Sequence, residues 1–298
     1  MRIALFHNPR AGSAALKITE LVRQFENAGY DLLYKSIKEK HWEGAFREPI
    51  DRAIVAGGDG TVSRLAPWLA GRNTAFCILP LGTANNCARG LGQMHSIEAI
   101  VTHLYSAPIR KIDLGVVTSS AGHRFFIESA GIGLLPLFMS EMRNLEKKKG
   151  SKMRLTPQDR LADAKKYLSL LAKEMPESKC EFLLDNEIVT GDFLLLEIAN
   201  IGLIGPSLEL APAADPSDGY FDVILGKREQ QKDWRNYLEW RSKGEKISPP
   251  FETRRCQRIV FRSPEVPVHV DGKVFLTMAT PISITIQTGA LELVDFAN

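Results

Sequence analysis

The segment Ala53-Ile54-Val55-Ala56 runs directly into Gly57-Gly58-Asp59-Gly60-Thr61 and then into an apolar helical stretch over 62–69. A short apolar strand, a glycine run and a helix in that order form the strand-to-helix turn of a mostly parallel, helix-covered sheet. The glycines allow close backbone approach, and the free amides at the following helix start attract phosphate. A carboxylate inside such a loop would repel phosphate, so Asp59 makes sense if it holds a magnesium ion or its waters. For any single Gly-Gly-x-Gly the alternative, a turn kept for geometry alone, carries equal weight. The loop is not a Walker loop, because no Gly-x-x-x-x-Gly-Lys-Ser/Thr occurs in the chain, and the Rossmann glycine spacing is missing after the first strand.

The surrounding sequence supports the phosphate reading. Apolar strands at 3–7, 30–36, 53–56 and 75–79 alternate with helical stretches at 14–27, 62–69 and 84–91. Turn chemistry falls at the carboxyl ends of three of those strands, as Asn8-Pro9-Arg10-Ala11-Gly12, the 57–61 loop and Pro80-Leu81-Gly82-Thr83-Ala84-Asn85. That edge is where open α/β sheets bind ligands.

From about Lys111 the texture changes to strands broken by Gly, Pro and Asp, at 111–117, 124–129, 180–184, 192–201, 220–225, 257–262, 266–270 and 282–286. Such spacing predicts an antiparallel sandwich or barrel. Helical pieces at 134–148, running into 157–173, and at 229–241 interrupt it. The expected division is an α/β domain over 1–110, joined by a returning segment 287–298, and a β-sandwich domain over 111–286. A chain of 298 residues, 44% hydrophobic, can fill two moderate cores.

Charge and cysteine usage exclude some classes. With 38 Lys+Arg against 35 Asp+Glu, the net +3 is too slight for bulk nucleic-acid binding, and no nucleic-acid partner is expected. Cys77, Cys87, Cys180 and Cys256 lie far apart without zinc-ligand or disulfide spacing, which fits a reduced, cytoplasmic setting. Asn8-Pro9 follows the first apolar residues too soon for a signal peptide, and no apolar run approaches the ~20 residues of a membrane span.

The three loops, in this order and spacing, resemble the catalytic domain of diacylglycerol kinases, together with the bacterial lipid kinases and sphingosine kinases built like it. Ile112-Asp113-Leu114-Gly115 and Asp218-Gly219 add weaker support. The resemblance implies an N-terminal domain akin to those of NAD kinases and phosphofructokinases, a C-terminal β-sandwich, a last strand near 291–294 returning to the first domain, and ATP between the domains. By position, Asn8, Pro9, Arg10, Ala11, Gly12, Gly57, Gly58, Asp59, Gly60 and Thr61 would line the phosphates, with Ser36, Thr83 and Asn85 nearby. Asp59 and Asp113 would belong to the water network of a catalytic Mg2+. Asp218, with the carbonyls of Asp215 and Tyr220, would match a second, structural metal.

The chain departs from the family pattern at three carboxylates. Ser63-Arg64 stands where the family has Asn-Glu, Asn86 replaces an aspartate, and Lys273 replaces the glutamate that closes Gln-x-Asp-Gly-Glu, the proposed proton acceptor of bacterial members. Two groups remain as catalytic bases: Asp271, if the 271–272 turn faces the site, and His269, whose unperturbed pKa of ~6.5 suits the work. Asp-Gly is also a strong two-residue hairpin signal, and a strand histidine is more often merely a surface residue. Lys147-Lys148-Lys149, with Lys152 and Arg154, is the marked basic cluster: a solvated helix end, or a contact with a membrane surface worth ~1 kcal/mol per basic residue. A homodimer is compatible with the sequence. The expected activity is ATP-dependent phosphorylation of a lipid hydroxyl, with diacylglycerol first. The rivals are a kinase-like binding module that no longer turns over, supported by Arg64, Asn86 and Lys273, and an NAD kinase-type enzyme.

Overall fold

The computed structural model describes residues 1–11, 18–149, 156–175, 179–261, 266–276 and 281–296. The chain divides into two units, Met1–Leu114 with Thr288–Asn298, and Gly115–Gln287.

In the first unit, strands β1 (Arg2–His7), β2 (Asp31–Ser36), β3 (Arg52–Gly57) and β4 (Ala75–Pro80) are parallel in the order β2-β1-β3-β4. They are apolar on both faces because helices cover both. Ile3, Leu5, Ile54 and Cys77 pack under α1 (Ile18–Asn27) and α4 (Ile97–His103), whose Leu21, Phe25 and Ile100 are buried. On the opposite face Phe6 stacks on Phe46 at 4.9 Å, and Phe46 stacks on Trp68 of α2 (Asp59–Leu69) at 6.2 Å. The short helix α3 (Asn86–Gly90) follows β4, and β5 (Ile109–Ser119) leads out of the unit. The chain returns in its last long strand, where Leu293 pairs with Phe76 in parallel and the buried Gln93 side chain donates to Val294 O at 2.9 Å. The return expected near 291–294 is therefore present.

The second unit is antiparallel, as its broken strands predict. It contains β6 (Gly122–Phe126), β7 (Ser129–Gly133), β8 (Lys179–Leu184), β9 (Glu187–Ala199), the short pair β10 (Leu203–Ile204) and β11 (Leu208–Glu209), and β12 (Phe221–Lys227). Strands β13 (Glu252–Cys256), β14 (Arg258–Phe261), β15 (Pro267–Val270), β16 (Lys273–Leu276) and the first part of β17 (Ile282–Val294), up to Gln287, complete it. The long β9 turns the corner: residues 187–192 pair with β8, whereas 193–199 pair with β7 and β12. Phe126, Phe182, Phe193, Phe221 and Phe261 fill the sandwich. Helices α5 (Leu134–Lys149), α6 (Pro157–Glu174) and α7 (Gln231–Ser242) cover an outer face through Leu168, Trp234 and Tyr237. Helix α6 starts with a complete capping box, Thr156 accepting from Asp159 N at 3.2 Å while Asp159 accepts from Thr156 N at 3.2 Å.

Candidate functional site

The order β2-β1-β3-β4 makes the chain leave β1 in one direction and β3 in the other, so the carboxyl ends of β1 and β3 flank a topological switch point. Residues after both strands are bonded to each other. Asn8 N donates to Ala56 O at 2.9 Å, and Asn8 Nδ2 donates to Thr61 Oγ1 at 3.3 Å. The same asparagine shapes its own loop by accepting Arg10 N at 3.2 Å through Oδ1 and Ala11 N at 2.9 Å through its carbonyl. Pro9 and Arg10 are exposed, and Gly12 lies outside the described residues.

Glycine is required at three places here. A Cβ on Gly57 would lie 2.2 Å from Thr61 Oγ1. One on Gly58 would lie 2.9 Å from Gly82 Cα, and one on Gly82 would lie 2.6 Å from Gly58 Cα. The loops after β3 and β4 thus touch backbone to backbone, fastened where Leu81 N donates to Gly57 O at 2.8 Å. Asn85, in the left-handed region at φ 52°, clamps the second loop: its Oδ1 accepts Gly82 N at 2.8 Å and its Nδ2 donates to Gly82 O at 3.0 Å. Asp59 opens α2 and accepts Cys87 N at 2.9 Å. First-turn helix amides point out of the helix end and carry about half a positive charge. At that end Gly60 is exposed, with nothing within 4 Å of the place its Cβ would take. The start of α2 at Gly60 is thus an open helix end, the kind of place that suits an anion.

Ser36 closes β2 and accepts Lys38 N at 3.2 Å, while Thr83 is exposed on the loop after β4. Strand position thus brings Asn8 to Ala11, Ser36, Gly57 to Thr61, Thr83 and Asn85 to one sheet edge. Two residues there escaped the sequence reading: buried His7 shares a 3.1 Å hydrogen bond with Tyr34 Oη, and burial holds its imidazole below the ordinary histidine pKa. Asp113 is buried on β5 and accepts Gly289 N at 2.7 Å, anchoring the returning strand. Of the departures, Arg64 sits on the exposed side of α2 with its guanidinium 5.2 Å from the Trp42 ring centroid, and Asn86 is buried at the first position of α3.

In the second unit the structure shows what surrounds the two expected bases. Asp271 and Gly272 form the hairpin turn between β15 and β16, with φ 45° and 73°. The Asp271 carboxylate accepts Glu128 N at 2.9 Å and Ser129 N at 3.2 Å through Oδ1, and Ile127 N at 3.0 Å through Oδ2. These three amide donors tie the carboxylate to shaping this bend. His269 is 1% exposed inside the sandwich, its Nε2 2.9 Å from Glu197 Oε2. Its ring faces a buried carboxylate and is withdrawn from solvent. Gly131 lies between them in the sheet register, and a Cβ there would meet Glu197 Oε2 at 2.0 Å. Lys273 is exposed on β16.

The carboxylate beside this turn is Glu128, which sequence reasoning passed over. Asp271 holds its amide, Asn200 N donates to its carbonyl at 3.0 Å, and Asn200 Nδ2 holds the preceding Ile127 carbonyl at 3.1 Å. Its own Oε1 accepts Gly205 N at 2.8 Å, and the residue is buried. A glutamate interrupting the apolar run Phe125-Phe126-Ile127 was a visible signal.

The proposed structural metal meets a competing cation. Asp218 Oδ1 accepts Tyr220 N at 2.9 Å and Oδ2 is ion-paired with Arg255, while the Asp215 carbonyl already accepts Asp218 N at 3.3 Å. A divalent ion coordinated by this set would lie against a guanidinium, so Asp215, Asp218 and Tyr220 do not fit one. Lys147, Lys148 and Lys149 lie in the last turn of α5, where side chains are outside the described residues, as are Lys152 and Arg154 altogether. No helix among the described residues is long and apolar enough to cross a membrane.

Comparison with known proteins adds independent findings. The model of the diacylglycerol kinase catalytic domain matches residues 2–117, and that of the YegS C-terminal NAD kinase beta sandwich-like domain matches residues 150–295. The diacylglycerol kinase of Bacillus subtilis (strain 168) is 26% identical over 289 residues, covering 93% of this chain and 88% of the relative. Among solved structures, a candidate diacylglycerol kinase from Bacillus anthracis str. Sterne superposes with a TM-score of 0.74 at 20% identity, covering 98% of this chain and 97% of the other. An NAD kinase from Archaeoglobus fulgidus in complex with ATP superposes with a TM-score of 0.58 at 13% identity, covering 99% and 94%.

Proposed function

We propose that this chain, which belongs to the diacylglycerol kinase catalytic-domain family, is an ATP-dependent lipid kinase that moves the γ-phosphoryl group of ATP onto a lipid hydroxyl, diacylglycerol being the leading acceptor. The observation that carries the proposal is the backbone contact of Gly58 with Gly82 at the open start of α2, tied to the first loop through Asn8 and Thr61. Rigid amides there would hold the nucleotide phosphates in place before reaction, and phosphoryl transfer depends mostly on such positioning and charge stabilisation. Asp59 and Asp113, hard oxygen donors, fit magnesium and are the residues that would hold its water shell. Magnesium, when bound, offsets phosphate charge.

The acceptor hydroxyl must lose its proton. With Lys273 unable to take it while charged and Asp271 committed to three amides, Glu128 is assigned that role, its carboxylate oriented by Gly205 and its backbone by Asp271 and Asn200. The lipid is met at a membrane surface, with Lys147, Lys148 and Lys149 as the basic contact.

The test is transfer from labelled ATP, with magnesium, to micelles containing diacylglycerol, a sphingoid base or an isoprenoid-like alcohol. Transfer to diacylglycerol is expected, and Glu128→Gln should lower it by roughly 10²–10⁴-fold while ATP affinity and melting temperature stay unchanged. A wild-type protein that binds ATP and phosphorylates none of these lipids refutes the proposal. The exposed Lys273 would then favour a nucleotide-binding module without turnover.

A further inference from the structure

We propose that Arg255 is the built-in cation of the turn from Asp215 to Tyr220, occupying the place where the family resemblance puts a divalent metal. Arg255 stands on β13, directly opposite Asp222 of β12 in the antiparallel register. Its guanidinium is ion-paired with Asp218 and lies 4.5 Å from the Tyr220 ring centroid, so one cation is held by a carboxylate and an aromatic face of the same turn. Asp222 is buried, and burial pushes its carboxyl above the usual range; Arg255 pulls it down and Asp218 pushes it up. One guanidinium therefore balances two acidic groups.

The rest of the turn is closed without a metal. Asp215 Oδ1 accepts Ser217 N at 2.9 Å, its carbonyl accepts Asp218 N at 3.3 Å, and Asp218 Oδ1 accepts Tyr220 N at 2.9 Å. The Gly219 carbonyl takes the Gln257 side-chain amide at 3.0 Å. A divalent ion needs six or more oxygen ligands, and here the oxygens are turned to amides and the strongest of them faces a positive charge. Removing that charge while keeping the carboxylates should expose a latent cation site.

Thermal melting of the full chain without nucleotide tests this. The wild type should melt at one temperature in EDTA, magnesium or calcium. Arg255→Ala should melt lower in EDTA and gain roughly 3–6 °C once calcium or magnesium reaches about ten times its dissociation constant. That gain should vanish in Arg255→Ala/Asp218→Asn. Arg255→Lys keeps the charge and should stay indifferent to divalent ions, which preserves the test if the alanine variant does not fold. A wild-type transition raised by calcium or magnesium, with the rise abolished by Asp218→Asn, overturns the proposal. So does an Arg255→Ala protein that melts like the wild type and ignores both ions, or an Arg255→Lys protein stabilised by them.

Discussion

Alanine substitution at two glycines of the same loop, Gly58 and Gly60, separates fold from ligand binding. At Gly58 the new methyl would sit 2.9 Å from Gly82 Cα. Ordinary carbon contacts lie at about 3.5–4.0 Å, so the two loops must part by roughly 0.6–1.1 Å. Overpacking of this kind costs about 1–3 kcal/mol, a fall of roughly 4–10 °C for a unit of this size. At Gly60 nothing lies within 4 Å of the added methyl. Helix propensity then favours alanine by up to about 1 kcal/mol, and the melting temperature should hold or rise slightly. Under the proposed function, that space takes a phosphate oxygen. A methyl in it would push a phosphate oxygen off a charge-assisted hydrogen bond worth about 1.5–3 kcal/mol, which is roughly 10–100-fold in ATP affinity. Calorimetric titration with magnesium and ATP, beside melting curves, reads both quantities. A folded Gly60→Ala protein that binds ATP as tightly as the wild type would refute the phosphate cradle, whatever Gly58→Ala does.

Two further expectations concern buried titratable groups. Gly131→Ala drives its methyl to 2.0 Å from Glu197 Oε2 and should break the pair with His269, and Glu197→Ala breaks it directly; each should cost about 3–5 kcal/mol. Because both remove one interaction, the double variant should cost less than the sum by at least about 1 kcal/mol in denaturant unfolding of the second unit, and additive costs would count against a structural role for the pair. His7, held below its ordinary pKa by burial, is neutral in the fold, so the unfolded chain binds more protons below about pH 6.5. Its stability contribution is intact above that pH and is lost as pH falls toward the folded pKa. Melting curves from pH 7 to 5 should therefore fall more steeply for the wild type than for His7→Gln, and parallel slopes would contradict the assignment.

Local chemistry made much of the first unit legible. Strand periods and turn residues act within a few positions of one another, so 53–56, the 57–61 loop and the following helix could be read in one pass. The same locality found the Asp271-Gly272 hairpin, which the positive φ angles require. It missed β7 over Ser129–Gly133, whose glycines weaken a strand signal and are there because Glu197 must cross over one of them. It missed α4 as well, although Ser96 caps it by accepting Ala99 N at 3.2 Å.

What a carboxylate does was decided elsewhere. Asp271 reads as acid chemistry in the sequence, yet 143 positions separate it from Glu128, whose amide it holds. Asp218 reads as a metal ligand until β13 brings Arg255 across the sheet. His269 reads as a surface base or a catalytic one, and the register of β15, β7 and β9 places it inside against Glu197. Residue type and spacing by themselves determined the architecture, the glycine-rich loops after the parallel strands and the family resemblance, because those depend on backbone freedom and short-range periodicity. Which charges are spent on the fold and which remain for chemistry depends on partners distant in the chain, since a charge is committed by whatever lies within a few ångströms of it in space.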